Sequence, residues 1–328
     1  MRVSIAELET LGLRGLKRIG YDDDEAARIF DVLLYAELRG NDQGVVKLIG
    51  EGIRRDPSAG PIEIQARTAV SARIDGNRNA GILVMRRAAD LVIEIARESG
   101  VGLVGTFNTS TSTGALGYYA RGVAESGFIC FAFAGSRPAV APLGSYEPMF
   151  GTNPISAGIP TENRPFVFDM ATSAITWYSL IAAKEAKRAI PGGVALDERG
   201  DPTSDPAAAM AGAILSFDRG HKSYGLSMLV ALLTGPLVGA APTDQPSENW
   251  GNLIIAFDPG LIRERDAAAT DATALIQSVK GAKRLPGTDE ILVPGERGDR
   301  LADSNRRGAA VDLDDAVYHA LASESHDG

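Results

Sequence analysis

Residues 99–120 read SGVGLVGTFNTSTSTGALGYYA, and the fold turns on what the glycines in this run are for. Gly100, Gly102 and Gly105 stand in the order G-x-G-x-x-G. In a Rossmann unit that order leaves a strand and opens a helix, so that a pyrophosphate meets the helix N-terminus. Here the order is reversed. Ile82, Met85, Ala89, Val92, Ile93 and Ala96 recur at helical spacing up to Gly100, so Gly100 closes a helix, and GLVGTFN after it predicts a small-residue strand. A lone G-x-G-x-x-G is a weak signal, and this one is not a Rossmann start.

Outward from that segment, helices and strands alternate. The N-terminus predicts a helical hairpin, with one helix over residues 4–18 and a second over 22–38. In the second, Asp22 and Glu25 have the capping-box spacing and Ile29, Leu33 and Ala36 share a face. Residues 54–75 carry Pro57, Gly60 and Pro61 and then an alternating IEIQARTAV, a loop leading into a strand. ALGYYARGVAESG predicts a helix ending at Gly127, FICFAFAGS a buried strand, FVFDM a strand ending in a carboxylate, NLIIAFDP a strand and ATALIQSVKG a helix. The tail from 309 is a further helix. Residues 136–165, rich in Pro and Gly, predict long ordered loops of the kind that carry ligands. Within the fragment 115–120, Tyr118 and Tyr119 are packing residues.

Composition bounds the function. The chain has 328 residues, 45% hydrophobic and 23% charged, enough for a sizeable core in one to three units. A net charge of −9 and a pI near 5.0 exclude nucleic acid as a partner, because phosphate binding needs clustered Lys and Arg. The single Cys130 makes neither a disulfide nor a thiolate metal site, and His221, His319 and His326 lack metal-ligand spacing, so a reduced, cytoplasmic protein without metal is expected. Glu7 and Glu9 occupy the place of a secretory signal's apolar core. The uncharged stretch 224–242, YGLSMLVALLTGPLVGAAP, is interrupted by Gly235-Pro236 and is expected to be a fully buried helix rather than a membrane span.

Five runs together carry a family resemblance: GTFNTSTSTGALGYYA, PLGSYEPMFGTNPISAGIP, VFDMATS, GHKSYGLSMLVALLTGPLVGA and ILVPGER, preceded by AELRGNDQG. In this order, over nearly the whole chain, they resemble the malate/L-lactate dehydrogenase family of nicotinamide-dependent reductases, including its branch that reduces cyclic imino acids such as piperideine- and pyrroline-2-carboxylate. The resemblance implies an α/β, non-Rossmann fold, a largely antiparallel sheet with helices and a helical N-terminal segment, that binds NAD(H) or NADP(H), usually as an intertwined homodimer. Residues 76–254 are expected to form the NAD(P)-binding domain, and 1–75 with 255–328 the helical substrate and dimerisation region. The resemblance assigns Ser112, Thr113, Gly114, Ser136, Asp169, Met170, Ala171, Thr172, Ser173, Lys222, Pro294 and Gly295 to the cofactor.

Residue chemistry agrees with parts of that assignment and leaves alternatives beside it. In TFNTSTSTG, hydroxyls and backbone N–H groups precede a helix starting near Ala115, where a phosphate fits; Ser112 or Thr113 acting as an N-cap fits the same donors equally. Asp169 at a strand end can accept from a ribose or carboxamide, or cap the next helix. Lys222 can meet a phosphate, or be a solvated lysine at a helix start. Arg137 after Ser136 can meet a 2′-phosphate, which leans the cofactor toward NADPH, or be a loop arginine on the surface.

Departures from the family pattern bear on mechanism. Relatives that interconvert 2-hydroxy and 2-oxo acids read R-G-x-D-S-H-G-x-x-R and S-N-H-F-G, whereas this chain has Gln43 and Ser112 in place of the two histidines and Lys47 in place of the arginine. Reducing a ketone creates an alkoxide that needs an acid with pKa near 7. A cyclic imine is basic enough to arrive protonated, so the pattern favours C=N over C=O. The expectation is an NAD(P)H-dependent reductase of small 2-imino or 2-oxo carboxylates, with Lys47 gripping the carboxylate as a point charge and Gln43 and Ser112 lining the reacting centre. Two alternatives stand beside it: a 2-hydroxy acid dehydrogenase whose acid has moved to His221, and a dinucleotide-binding protein without catalysis.

Overall fold

The computed structural model describes residues 1–49, 52–240 and 249–324. In chain order its elements are β1 (Arg2–Ser4), α1 (Ile5–Arg18), α2 (Asp23–Leu38), β2 (Glu63–Arg67), β3 (Ser71–Asp75), α3 (Gly81–Ser99), β4 (Val101–Thr109), α4 (Leu116–Glu125), β5 (Ile129–Ala134), β6 (Ile155–Ile159), β7 (Phe166–Met170) and α5 (Trp177–Glu185). There follow β8 (Ala195–Leu196), α6 (Pro206–Ala211), β9 (Ala213–Ile214), α7 (His221–Thr234), β10 (Trp250–Phe257), α8 (Arg265–Lys280), α9 (Glu296–Arg307), β11 (Ala310–Asp312) and α10 (Asp315–Glu324).

Seven strands form the central sheet in the order β2-β3-β4-β10-β5-β6-β7. Every pairing is antiparallel except β3 with β4. That parallel pair is joined by α3, which ends where Gly100 takes a left-handed φ of 82° and donates its N–H to Ala96 O. The G-x-G-x-x-G run is therefore a helix stop followed by a strand, as its sequence implies.

The two faces of the sheet are covered differently. Val104, Ala132, Ile254 and Ala256, alternating along β4, β5 and β10, join the main core beneath α3 and α4. The opposite face presents Phe133 and Leu253 to Val230 of α7. At the edge of the core, β1 pairs with β11, and α2, held by the Asp22–Glu25 capping box, packs beside α9.

Several expectations need correction. The alternating run at 62–70 is a hairpin, because Thr68 turns the chain, its N–H donating to Ser71 O at 2.8 Å. The segment 136–165 includes strand β6, and the tail from 309 opens with β11 before its helix. Helix α7 is not fully buried: Met228, Leu229 and Leu232 are exposed, and residues 241 and 242 of that stretch lie outside the described residues. Ser112 and Thr113 do not cap α4, whose N-cap is Ala115 without a side-chain bond. The sheet also runs across the expected boundaries at 75/76 and 254/255, the second falling inside β10. Among the described residues no helix is long and apolar enough to cross a membrane.

Candidate active site

Between β4 and α4 the chain makes a tight turn at Gly114. Its φ of +74° is left-handed, and a Cβ there would lie 2.7 Å from Val32 Cγ1, so the position accepts glycine and little else. Ser112 staples this turn by accepting the Gly114 N–H at 3.1 Å. The same oxygen accepts from Lys47 Nζ at 2.7 Å. Lys47 sits on a short 3-10 turn, residues 45–48, that follows α2. It is fully buried, with its amine 3.3 Å above the Tyr178 ring. Burial pushes its pKa well below the ordinary lysine range, against the opposing pull of Asp42.

A cavity opens beside this turn, bordered by Gln43, Ser112, Thr113, Gly114, Ser136, Arg137, Trp177, Tyr178 and Trp250. The Arg137 guanidinium lies 4.0 Å over the Trp177 ring and makes no ion pair among the described residues. A second, wider cavity is bordered by Tyr35, Arg39, Asp42, Arg121, Asp169, Gly295, Arg297 and Asp299. Asp42 and Gln43 are chain neighbours, so the two cavities share a wall.

In the second cavity Asp169 Oδ2 accepts the Gly117 N–H of α4 at 2.8 Å. Asp169 is exposed at this cavity, yet the protein packed around its carboxyl raises its pKa above the ordinary carboxylate range, and the Gly117 bond works against the rise. Asp169 thus caps α4, the helix before it in the chain. It does not cap α5, which Thr176 caps. One N–H at the start of α4, that of Gly117, is therefore already held by a carboxylate. Gly295 closes over the same strand: its φ is +85°, and a Cβ would stand 2.7 Å from Val167 O. Asp299 receives Arg121 at 2.5 and 2.7 Å and Arg39 at 3.0 Å, fastening α9 to α2 and α4.

The residues singled out from the sequence divide into three groups. Gln43, Ser112, Thr113, Gly114 and Ser136 meet around the first cavity, and Asp169 and Gly295 around the second. Met170 and Ala171 follow Asp169, half-buried, and Pro294 is exposed beside Gly295. Thr172 and Ser173 are buried behind the first cavity, the Thr172 N–H and hydroxyl both donating to Thr152 O and the Ser173 hydroxyl to Ile175 O. Lys47 does not itself border the cavity; its amine lies behind Ser112 and the Tyr178 ring, both of which do. His221 and Lys222, exposed on the first turn of α7, border neither cavity. Sequence reasoning missed Trp177, Tyr178 and Trp250 and the Arg39–Asp299–Arg121 cluster. The signal for the first two was a pair of adjacent aromatics that follows FDMATS after the three residues 174–176.

The family model described as malate/L-lactate dehydrogenase matches residues 3–322. The chain belongs to the malate/L-lactate dehydrogenase family. The L-sulfolactate dehydrogenase of Methanothermobacter thermautotrophicus is 35% identical over 98% of this chain and 95% of its own. The Delta(1)-pyrroline-2-carboxylate/Delta(1)-piperideine-2-carboxylate reductase of Pseudomonas aeruginosa is 31% identical over 79% of this chain and 81% of its own. Among solved structures, a dehydrogenase from Sinorhizobium meliloti superposes with a TM-score of 0.87 at 28% identity, covering 99% of this chain and 98% of that one. This malate/L-lactate dehydrogenase-family protein is an oxidoreductase of small carboxylates that uses a nicotinamide cofactor.

The lining offers such a cofactor polar partners: Gln43, Ser112, Thr113 and Ser136 border the first cavity and Asp169 the second.

Proposed function

We propose that the protein reduces small 2-imino carboxylates, cyclic ketimines foremost, and 2-oxo monocarboxylates with NAD(P)H. The observation that carries this reading is the lining of the first cavity. Among the described residues that border it Arg137 alone bears a formal charge, and Trp177, Tyr178 and Trp250 supply aromatic walls. One guanidinium matches one carboxylate, with charge-assisted hydrogen bonds fixing its plane. A dicarboxylate or sulfonate-carboxylate would bring a second anion with no second cation among the described lining residues to meet it, whereas the ring of a pyrroline or piperideine finds apolar walls. On this reading Arg137 takes the role first expected of Lys47, whose amine stays behind Ser112.

Bound across the two cavities, the reduced cofactor supplies a hydride to C2 of the substrate. Gln43, Ser112, Thr113, Gly114 and Ser136 are the residues proposed to border its nicotinamide end; Asp169, with Met170 and Ala171, and the Pro294-Gly295 turn are proposed for the nucleotide end. Thr172 and Ser173 hold the wall behind the first group. NADPH is the proposed form, because Arg297 borders the second cavity, is exposed and has no ion pair among the described residues, leaving it open to a 2′-phosphate.

The test is nicotinamide oxidation by the purified protein with pyrroline- and piperideine-2-carboxylate, pyruvate and oxaloacetate, using NADPH and NADH in turn. Cyclic imines are expected first and oxaloacetate last; a preference for oxaloacetate overturns the reading. Arg137→Met is expected to raise KM for every carboxylate by about 10- to 100-fold, the worth of a lost charge-assisted pair, with cofactor affinity held.

A further inference from the structure

A reduction needs a proton as well as a hydride, and among the described residues none that borders the first cavity has an imidazole or carboxyl group. It does have an unusual hydroxyl. Ser112 Oγ accepts from Lys47 Nζ at 2.7 Å and from the Gly114 N–H at 3.1 Å. A serine oxygen has two lone pairs and one hydrogen. With both lone pairs engaged, the hydrogen is left to donate. In the free protein it meets the Tyr178 hydroxyl, which itself donates to Gly52 O at 3.1 Å. Because both Ser112 and Tyr178 border the cavity, a bound substrate atom can take that oxygen's place as acceptor. Lys47 is fully buried, and the Tyr178 ring covers its amine from one side.

We infer that Lys47 and Ser112 form a proton relay for the heteroatom reduced in this cavity, an inference that rests on the reductase reading above. Hydride addition at C2 moves the C=N or C=O electron pair onto nitrogen or oxygen. That atom takes the Ser112 hydroxyl proton as the Oγ–H bond breaks. Lys47 Nζ–H then gives its proton to Oγ, restoring the hydroxyl and leaving a neutral amine, which accepts a hydrogen bond from Ser112 until solvent reprotonates it. In the oxidative direction the same atoms run backward. For an imine that arrives unprotonated, the relay delivers the proton before hydride addition. Ser112 is the catalytic residue, and Lys47 is a positioning residue that acts through it.

Burial prepares Lys47 for this part, because a desolvated ammonium gives up its proton far more readily than an exposed one. The charged group acting on it from the preceding turn is Asp42. Glu37 of α2 stands against Gly44 at the start of the same turn, and Tyr178 of α5 covers the amine.

Two measurements test the relay, one of them independent of turnover. In the free protein labelled with 13C-lysine, the Lys47 Cε resonance is followed against pH in the wild type and in Ser112→Ala. A midpoint well below that of the surface lysines, displaced when the hydroxyl is removed, is expected. A midpoint among the surface lysines, or one indifferent to Ser112→Ala, overturns the relay. In the second measurement, Lys47→Met is expected to lower kcat by about 10²-fold or more, with substrate KM and cofactor affinity little changed and the alkaline limb of the pH profile lost. A raised KM at unchanged kcat would make Lys47 a carboxylate grip and overturn the relay. If the resonance behaves as expected while no 2-imino or 2-oxo carboxylate is reduced, the reductase reading fails and the Lys47–Ser112 coupling stands.

Discussion

Glu37, on the last turn of α2, is a carboxyl that folding works against. Burial pushes its pKa up to about 7; the Val45 N–H, donated at 3.0 Å, pulls the other way, and Asp42 adds a small upward push. A carboxyl raised on folding binds protons more tightly in the folded state than in the unfolded one. Its contribution to stability is therefore fully present below pH 4.5, where the unfolded group titrates, and is lost as pH climbs to about 7. Glu37→Gln keeps an acceptor for the Val45 N–H and removes the titration. The variant should match the wild type in thermal unfolding near pH 4 and exceed it by on the order of 2 kcal/mol at pH 8. Equal unfolding temperatures across that range would mean that Glu37 reaches water as freely in the fold as out of it. Because Glu37 abuts the turn that carries Gln43 and Lys47, the same titration reports on the footing of the proposed site.

At the scale of elements, the α3–β4 junction separates a structural glycine pattern from a nucleotide-binding one. A Cβ at Gly100 would meet Leu261 Cδ2 at 2.8 Å in a left-handed backbone, and one at Gly102 would stand 2.7 Å from Val92 O. Gly100→Ala and Gly102→Ala should each cost about 1–3 kcal/mol in unfolding free energy and leave cofactor affinity untouched. Loss of affinity without loss of stability would reinstate the nucleotide reading of this run. Such elements were legible because their signals are local: an apolar period broken by glycine for α3, and Asp22 three residues before Glu25 for α2. Strand β6 was not legible, since ISAGI among prolines and glycines becomes a strand only by pairing with β5 and β7. Helix α9 was equally silent, its sequence ERGDRLADSNRR burying only Ala302 and Asn305. The site divides the same way. Sequence spacing brought Gln43 and Ser112 into view as a pair, yet Arg137 on Trp177 and Lys47 behind Ser112 arise from segments 40 to 65 residues apart or more, held together only by the fold.

Across the whole molecule, the sheet face that carries α7 is left incomplete. Met228, Leu229 and Leu232 on that helix are 43%, 48% and 51% exposed, Leu237 just beyond it 63%, and Phe131 on β5 36%. A chain of net charge −9 that leaves so much apolar side chain on one helix is expected to cover it with a second copy of itself. The cover matters to the proposed chemistry, because Asn153 Nδ2 donates to Ser227 O in the middle of α7 at 2.9 Å, and its neighbours Thr152 and Pro154 border the first cavity. Light scattering should give the mass of a dimer for the wild type and of a monomer for Met228→Glu combined with Leu232→Glu, with cofactor affinity falling in the variant as α7 loosens. A wild type that stays monomeric at micromolar concentration would sink the dimer. A monomeric variant with wild-type affinity would keep the dimer and cut its link to the site, leaving Asn153 as packing between a helix and a loop.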